Sequence, residues 1–386
     1  MTSKVLPKPT PSGPGYNKLR HFCEKAQTDF QCRYVWSDTC CINKESSSEL
    51  DEAIRSMYRW YSLANVCIVH LGQSSTVDDF EREPWFTRGW TLQELLAPTV
   101  IRFYGKDWNP ICAQVHAHGD KDNEVITRAI TRVTGIPDIH LRRFNPSCEL
   151  VAEIMTWSAK RKTTRIEDRA YSLLGLFNLS IPIAYGEGHR AFYHLMVALA
   201  NECLTPSFFA WAGRHSDYSN ALPSSPACYA RVGSDSQDIV RRGDMGHPSY
   251  EVTKLGVVVK FLLFRVHRKL TLRGGFHVGT TWYFNEDVPL EPFMIRAGTG
   301  AALPPLVTIE EEDDREYALG IVNFACSGPD SRGELVRGRK YFGVLMVKVK
   351  WGWEKLSTDL VISLNCSGDT TRPVESVLLL HTTMEY

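Results

Sequence analysis

The chain lacks a charge bias: 44 Lys and Arg are balanced by 44 Asp and Glu. A dedicated nucleic-acid binder carries a basic excess, so that class is excluded as an expectation. With hydrophobic residues at 43%, a disordered chain is excluded as well. No apolar run approaches the roughly 20 residues needed to span a bilayer. The best, Leu255 to Phe264, is interrupted by Lys260. The first fifteen residues hold four prolines and two glycines and no apolar core of a secretory signal. The expected location is therefore the cytoplasm, with no membrane contact. Eleven cysteines, an odd count and widely scattered, are then expected to be reduced thiols.

Metal and nucleotide signatures are equally scarce. No C-x-x-C pair exists. Cys40 and Cys41 are adjacent, and neighbours on a strand point to opposite faces, so no metal site is expected. Tyr185-Gly-Glu-Gly188 is a glycine turn without the length or the Lys-Ser/Thr ending of a phosphate loop. No G-x-S-x-G or H-E-x-x-H set is present.

What is present is a regular alternation. Residues 1–15 read as a disordered leader. A helix over Tyr16–Ala26 precedes a short strand at Arg33–Trp36. Ser46-x-x-Glu49 has the spacing of a capping box, in which hydroxyl and carboxylate satisfy orphan backbone N–H groups. Behind it, Leu50, Ile54, Met57, Tyr58 and Tyr61 form a helical apolar stripe, expected to pack on a sheet and bind no ligand. A strand ending at Leu71, a helix over Thr91–Ala97 and a strand at Val100–Tyr104 follow. Strands alternating with helices predict a parallel α/β sheet over 16–110. A helical extension over 111–212 carries helices near 149–159, 167–177 and 189–203. A Pro-, Ser- and Gly-rich linker over 213–249 leads to a β-rich C-terminal domain over 250–386, expected to be antiparallel.

Several linear strings then resemble one family. Tyr34-Val-Trp-Ser-Asp-Thr-Cys-Cys-Ile-Asn43 and Glu49-Leu-Asp-Glu-Ala-Ile-Arg-Ser-Met-Tyr-Arg-Trp-Tyr61 look like opening blocks of the fungal heterokaryon-incompatibility (HET) domain. Trp85-Phe-Thr-Arg-Gly-Trp-Thr-Leu-Gln-Glu-Leu-Leu-Ala-Pro98 resembles that family's most distinctive block. Met155–Tyr171 and Pro182–Gly188 resemble the helical segment that commonly follows. The resemblance implies a role in fungal non-self recognition and programmed cell death. It implies protein partners or self-association, and a TIR-like, flavodoxin-like fold.

Some TIR domains cleave NAD with a glutamate at a helix start, in a Trp-Cys-x-x-Glu-Leu context. Trp90-Thr-Leu-Gln-Glu-Leu95 is similar to that layout. By this resemblance Glu94 is the candidate catalytic carboxylate and NAD the substrate, with no cofactor required. Its competing reading is structural, because Thr91-x-x-Glu94 is itself a capping box. Asp38, Arg88 and Trp90 are candidates to bind the nucleotide. Their alternatives are a turn-making aspartate, a surface ion pair and a core aromatic. Thr164-x-x-Glu167 reads as one more capping box at a helix start. The family usually opens with a further strand, ahead of the first helix, and no string here matches it. That absence predicts a truncated, catalytically impaired domain whose strands at 33–36 and 66–71 pair directly or leave a gap.

Overall fold

The computed structural model describes residues 12–114, 118–231, 250–273, 276–296, 306–310, 314–327 and 332–381. Most of the expected leader, up to residue 11, lies outside them, as does residue 232 onward of the expected linker. The chain divides into two compact units, Met1–Asn145 and Pro146–Tyr386.

In the first unit, α1 (Pro14–Phe30) opens on a proline, which costs a helix nothing in its first turn, and ends where Gln31 turns left-handed. The segment 33–36, expected as a strand, is not one. It pairs with no strand: Tyr34 is 88% exposed, and Trp36 packs instead against the cluster of Ile42, Ala53 and Met57. The question of whether it pairs with the strand near 66–71 therefore falls away. Before residue 33 the described residues hold α1 and no strand.

A short α2 (Asp38–Cys41) follows, then α3 (Ser47–Leu63). Ser46 caps α3, its hydroxyl accepting from the Glu49 N–H at 3.3 Å. The Glu49 carboxylate reaches one turn further back than a capping box requires and accepts from the Asn43 N–H at 2.9 Å. Ala53, Ile54 and Met57 form the buried stripe of α3. Strand β1 (Cys67–His70) leads through α4 (Thr91–Leu96) to β2 (Ile101–Tyr104), and the strands pair in parallel from Cys67↔Ile101 to His70↔Tyr104. The crossover expected from the alternation is thus present, but the parallel sheet has two strands.

The outer edge of β2 is covered by a loop. Asp120 takes the place of a strand, its carboxylate accepting from the Phe103 N–H at 2.7 Å and from the Arg102 guanidinium at 2.5 Å. Arg102 also donates to the carbonyls of Gln114 and Cys112. This ion pair is buried on both sides. Behind it, Asn123 caps α5 (Glu124–Thr134), which ends at Gly135 in the left-handed region, and α6 (Asp138–Arg142) closes the unit.

The second unit begins with helices α7 (Val151–Ser158), α8 (Asp168–Tyr171), α9 (Leu174–Phe177) and α10 (Arg190–Glu202). The single helix expected over 167–177 is therefore two. Glu167 stands at the N-cap position of α8 but makes no side-chain cap: its carboxylate accepts from the N–H groups of Gly186 and Gly188, at 2.9 and 3.0 Å. The glycine turn thus binds an anion, but an internal one.

The rest of the unit is β-rich. A hairpin of β3 (His215–Ser216) and β4 (Ser219–Pro223) occupies the first part of the stretch read as linker. Then come β5 (Tyr250–Val252), β6 (Gly256–Arg273), β7 (Phe276–Phe284), β8 (Phe293–Arg296), β9 (Leu306–Glu310) and β10 (Tyr317–Ile321). They are followed by β11 (Ala325–Ser327), β12 (Arg332–Leu335), β13 (Lys340–Val349), β14 (Gly352–Lys355), β15 (Ile362–Asn365), β16 (Thr370–Pro373) and β17 (Glu375–Leu380). Most pairs are antiparallel, as expected; β14 with β17 is parallel.

The pairings close on themselves. β6 pairs β10, β10 pairs β13, β13 pairs β14, β14 pairs β17, and β17 returns to β6. A closed circuit removes the unpaired edges that an open sheet must protect. Its core includes Leu262, Phe264, Leu319, Ile321, Tyr341 and Leu345. The molecule is a mixed α/β protein: a mainly helical first unit around one parallel pair, and a second unit dominated by this sheet.

Candidate functional site

Glu94 sits on α4, between the two parallel strands in sequence. Thr91 does not cap it. The Thr91 hydroxyl turns back and donates to the Trp85 carbonyl at 2.5 Å and the Arg88 carbonyl at 2.8 Å. It thereby ties the preceding turn to the helix, and the capping-box reading of Thr91-x-x-Glu94 is corrected.

The Glu94 side chain is half-buried and accepts a hydrogen bond from the Tyr61 hydroxyl at the end of α3. Burial drives the Tyr61 phenol far above its ordinary range; the negative fields of Glu94, Cys67 and Asp38 add to this. Tyr61 is thus held protonated, as a donor. Sequence reasoning assigned it to packing alone. The missed signal is its place at the last turn of the apolar stripe, the one polar-tipped position there that points back toward α4.

Asp38 therefore does lie within electrostatic reach of the Tyr61–Glu94 pair, from an exposed position at the start of α2. Trp90, at the start of α4, packs against the buried cluster of Ile42, Ala53 and Met57, as do Trp36, Trp60 and Tyr61. Trp36 stands 5.2 Å from Trp60 and edge-on to Tyr61 at 5.9 Å. Trp90 is thus half-buried against this core, four residues before Glu94 on the same helix start. Arg88 is exposed on the turn entering α4. Of the four candidates, Glu94 and Asp38 act on Tyr61.

Two further groups border this cluster. The buried Cys67 thiol on β1 points to the Glu94 carbonyl at 3.8 Å, and burial raises it well above the usual thiol range, so it is an inert neutral group. Lys121, 3% exposed, donates to the carbonyls of Leu96 and Pro98 at 3.2 and 2.6 Å. It caps the C-terminus of α4, where a cation complements the helix dipole, and burial lowers its pKa to about 8. Nothing in the local sequence ties Lys121 to a helix 25 residues earlier. Among the described residues, no group of three His, Cys, Asp or Glu side chains is placed to hold a metal ion.

Residues 15–80, from α1 past β1, match the family described as Heterokaryon incompatibility protein (HET). Over that stretch the chain is similar to a HET domain. The vegetative incompatibility protein HET-E-1 of Podospora anserina is 44% identical over 185 residues, a match covering 45% of this chain and 13% of that protein. The chain thus matches only a small part of its relative. No solved structure matches the chain. The family match to the HET domain ends before α4, so Glu94 rests on its own geometry. Among the described residues no helix is long and apolar enough to cross a membrane.

Proposed function

We propose that this protein acts in fungal vegetative incompatibility, and that its HET domain triggers cell death by a TIR-like cleavage of NAD at Glu94. The incompatibility reading is supported by the HET match and by the similarity to HET-E-1. The single observation that carries the chemistry is the place of Glu94: a half-buried carboxylate facing the Tyr61 hydroxyl.

Hydrolysis breaks the bond between nicotinamide and the ribose anomeric carbon, and water supplies the new oxygen, giving nicotinamide, ADP-ribose and a proton. The sugar passes through an oxocarbenium-like state. A carboxylate facing it stabilises that charge, and more so where water is partly excluded. Tyr61 fixes the carboxylate's direction. Trp90 supplies an apolar wall, and Asp38 adds negative field at the rim.

The test is expression of wild type and Glu94→Gln in a yeast host, with growth and cellular NAD as readouts. Wild type arrests growth and depletes NAD. Glu94→Gln removes charge but little volume, keeps the circular dichroism and melting temperature, and does neither. Equal toxicity of both forms with NAD unchanged overturns the catalytic reading. It favours the second reading, an interaction module, which the exposed Tyr34 and Val35 of the unpaired segment 33–36 support.

A further inference from the structure

We infer that Cys40 and Cys41 form a modification site for low-molecular-weight disulfides, closing on exchange into a disulfide between chain neighbours. On a strand the two side chains would point to opposite faces. On the turn of α2 they do not: the two Sγ atoms stand 3.8 Å apart, and both residues are exposed.

The local fold holds them so. The N–H groups of Cys40 and Cys41 both donate to the Ser37 carbonyl, at 3.2 and 2.8 Å, which winds the turn tightly. Its two ends are anchored, because Trp36 before it and Ile42 after it pack with Ala53 and Met57. The Asn43 N–H is tied to the Glu49 carboxylate at 2.9 Å. With both ends fixed inward, the thiols between them face solvent together.

The two thiols differ. Cys40 donates to the Ser37 carbonyl at 3.7 Å. Slight burial, and then the adjoining Cys41 thiol, push the Cys40 thiol up. Cys40 thus keeps its proton, and Cys41 attacks first. The Cys41 thiolate bonds to one sulfur of the incoming disulfide and expels the other half as a thiolate, which takes a proton from water. Cys40 then gives its proton to solvent and bonds to the Cys41 sulfur, and the second small thiol leaves. Two protein thiols are oxidised, and one small disulfide is reduced to two thiols.

The second step is intramolecular. Side-chain rotation and a shift of one peptide unit bring the sulfurs from 3.8 Å to a bond of about 2 Å. Neighbouring Cα atoms lie about 3.8 Å apart, closer than the roughly 4.4–6.8 Å of ordinary disulfides. The product is therefore strained and readily reduced, which suits a reversible modification and not a structural bridge. The same turn carries Asp38, whose field reaches Tyr61. Any effect on cleavage at Glu94 rests on the NAD reading; the exchange chemistry does not.

The experiment exposes the folded full chain to millimolar oxidised glutathione, traps the remaining thiols with N-ethylmaleimide and reads the tryptic peptides by mass. Cleavage after Arg33 and Lys44 puts both thiols, and no other cysteine, on the peptide 34–44. That peptide is expected to lose two hydrogens and to carry neither maleimide nor glutathione; dithiothreitol returns two trapped thiols. Cys40→Ser is expected to stop at a glutathione adduct on Cys41, and Cys41→Ser to leave Cys40 unmodified, both with unchanged melting temperature. A wild-type peptide that accumulates glutathione without losing two hydrogens overturns the proposal, as does one that stays reduced in the folded chain and reacts only in urea. Equal adducts on the two variants overturn the order of attack.

Discussion

The two units complete their sheets by different means. In the second unit strands satisfy strands, and the circuit from β6 through β10, β13, β14 and β17 returns to its start. In the first unit the sheet stops after one parallel pair, and the edge of β2 is finished by a loop: backbone bridges at Ile101–Gly119 and Tyr104–Pro110, the Ile111 N–H on the Phe103 carbonyl, and the buried Asp120 carboxylate on the Phe103 N–H. The lesson is that a small sheet can be closed by a loop and a buried ion pair where a large one is closed by further strands. The consequence is a different vulnerability. Removing one side chain leaves a buried charge in the first unit, but only a packing fault in the second.

The largest expected effect is therefore Asp120→Ala. It strands Arg102 in a site where both partners are almost fully buried, and breaking such a pair costs about 3–5 kcal/mol. Urea denaturation checks it. A loss below about 1 kcal/mol means that water or backbone movement rescues Arg102, and the contrast between the units fails.

The next pair of substitutions compares packing. Met57→Ala on α3 removes a buried side chain from the cluster with Ile42 and Ala53 and is expected to cost roughly 2–5 kcal/mol. Gly320→Ala in β10 does the opposite. The added carbon would stand 2.6 Å from the Phe261 ring and 3.0 Å from the Met346 methyl, so the neighbours must shift. Overpacking of this kind costs about 1–3 kcal/mol. If Gly320→Ala is neutral in denaturation, the sheet interior is looser than its fully buried Phe261 and Leu319 imply.

How much of this was legible in the sequence follows the range of the interactions. The Ser46 cap, the α3 stripe, β1 and β2 depend on residues within a few positions of one another, and local pattern finds them. Arg33–Trp36 has strand-forming residues but no partner, and partnership is a tertiary property. Thr91 and Glu167 stand at capping spacing, yet each carries out a different bond: Thr91 to Trp85 and Arg88, Glu167 to a glycine turn about twenty residues away. The resemblance singled out Glu94 as a candidate carboxylate, with capping as its alternative. Its link to Tyr61 spans 33 positions and no periodicity announces it.

The two units also share a device that titration can compare. Burial lowers Lys121 to about 8, beneath the helix α4 terminus, and Lys355 to about 7, where its ammonium lies 3.5 Å from the centre of the Trp211 ring. Both titrate near their ordinary 10.5 when the chain unfolds. Between these limits the unfolded chain binds more protons than the folded one, so stability rises with pH. The rise is expected from about pH 7 to 8.5, before thiols held protonated by burial, Cys67 and Cys203 among them, ionise in the unfolded chain near 9.0 and reverse it. Lys121→Met removes the slope above pH 8, and Lys355→Met the slope that begins near 7. Denaturation midpoints that stay flat or fall across this window would show that both ammonium groups reach solvent.

The smallest expected effect on stability bears most directly on the candidate site. Tyr61→Phe deletes one hydroxyl and leaves the ring against Trp36. Because Glu94 is only half-buried, water can replace the lost donor, and the cost should be about 0.5–1.5 kcal/mol. If Tyr61 only packs, as the α3 stripe alone suggested, NAD cleavage is unchanged. If it holds the carboxylate in its working direction, kcat falls about tenfold while KM stays, the mark of an interaction that counts in the transition state and not in binding. Tyr61→Leu separates the two further, since it also removes the ring and should lower stability more than activity. A Tyr61→Phe protein with full kcat detaches α3 from the chemistry and leaves Glu94 to act without it.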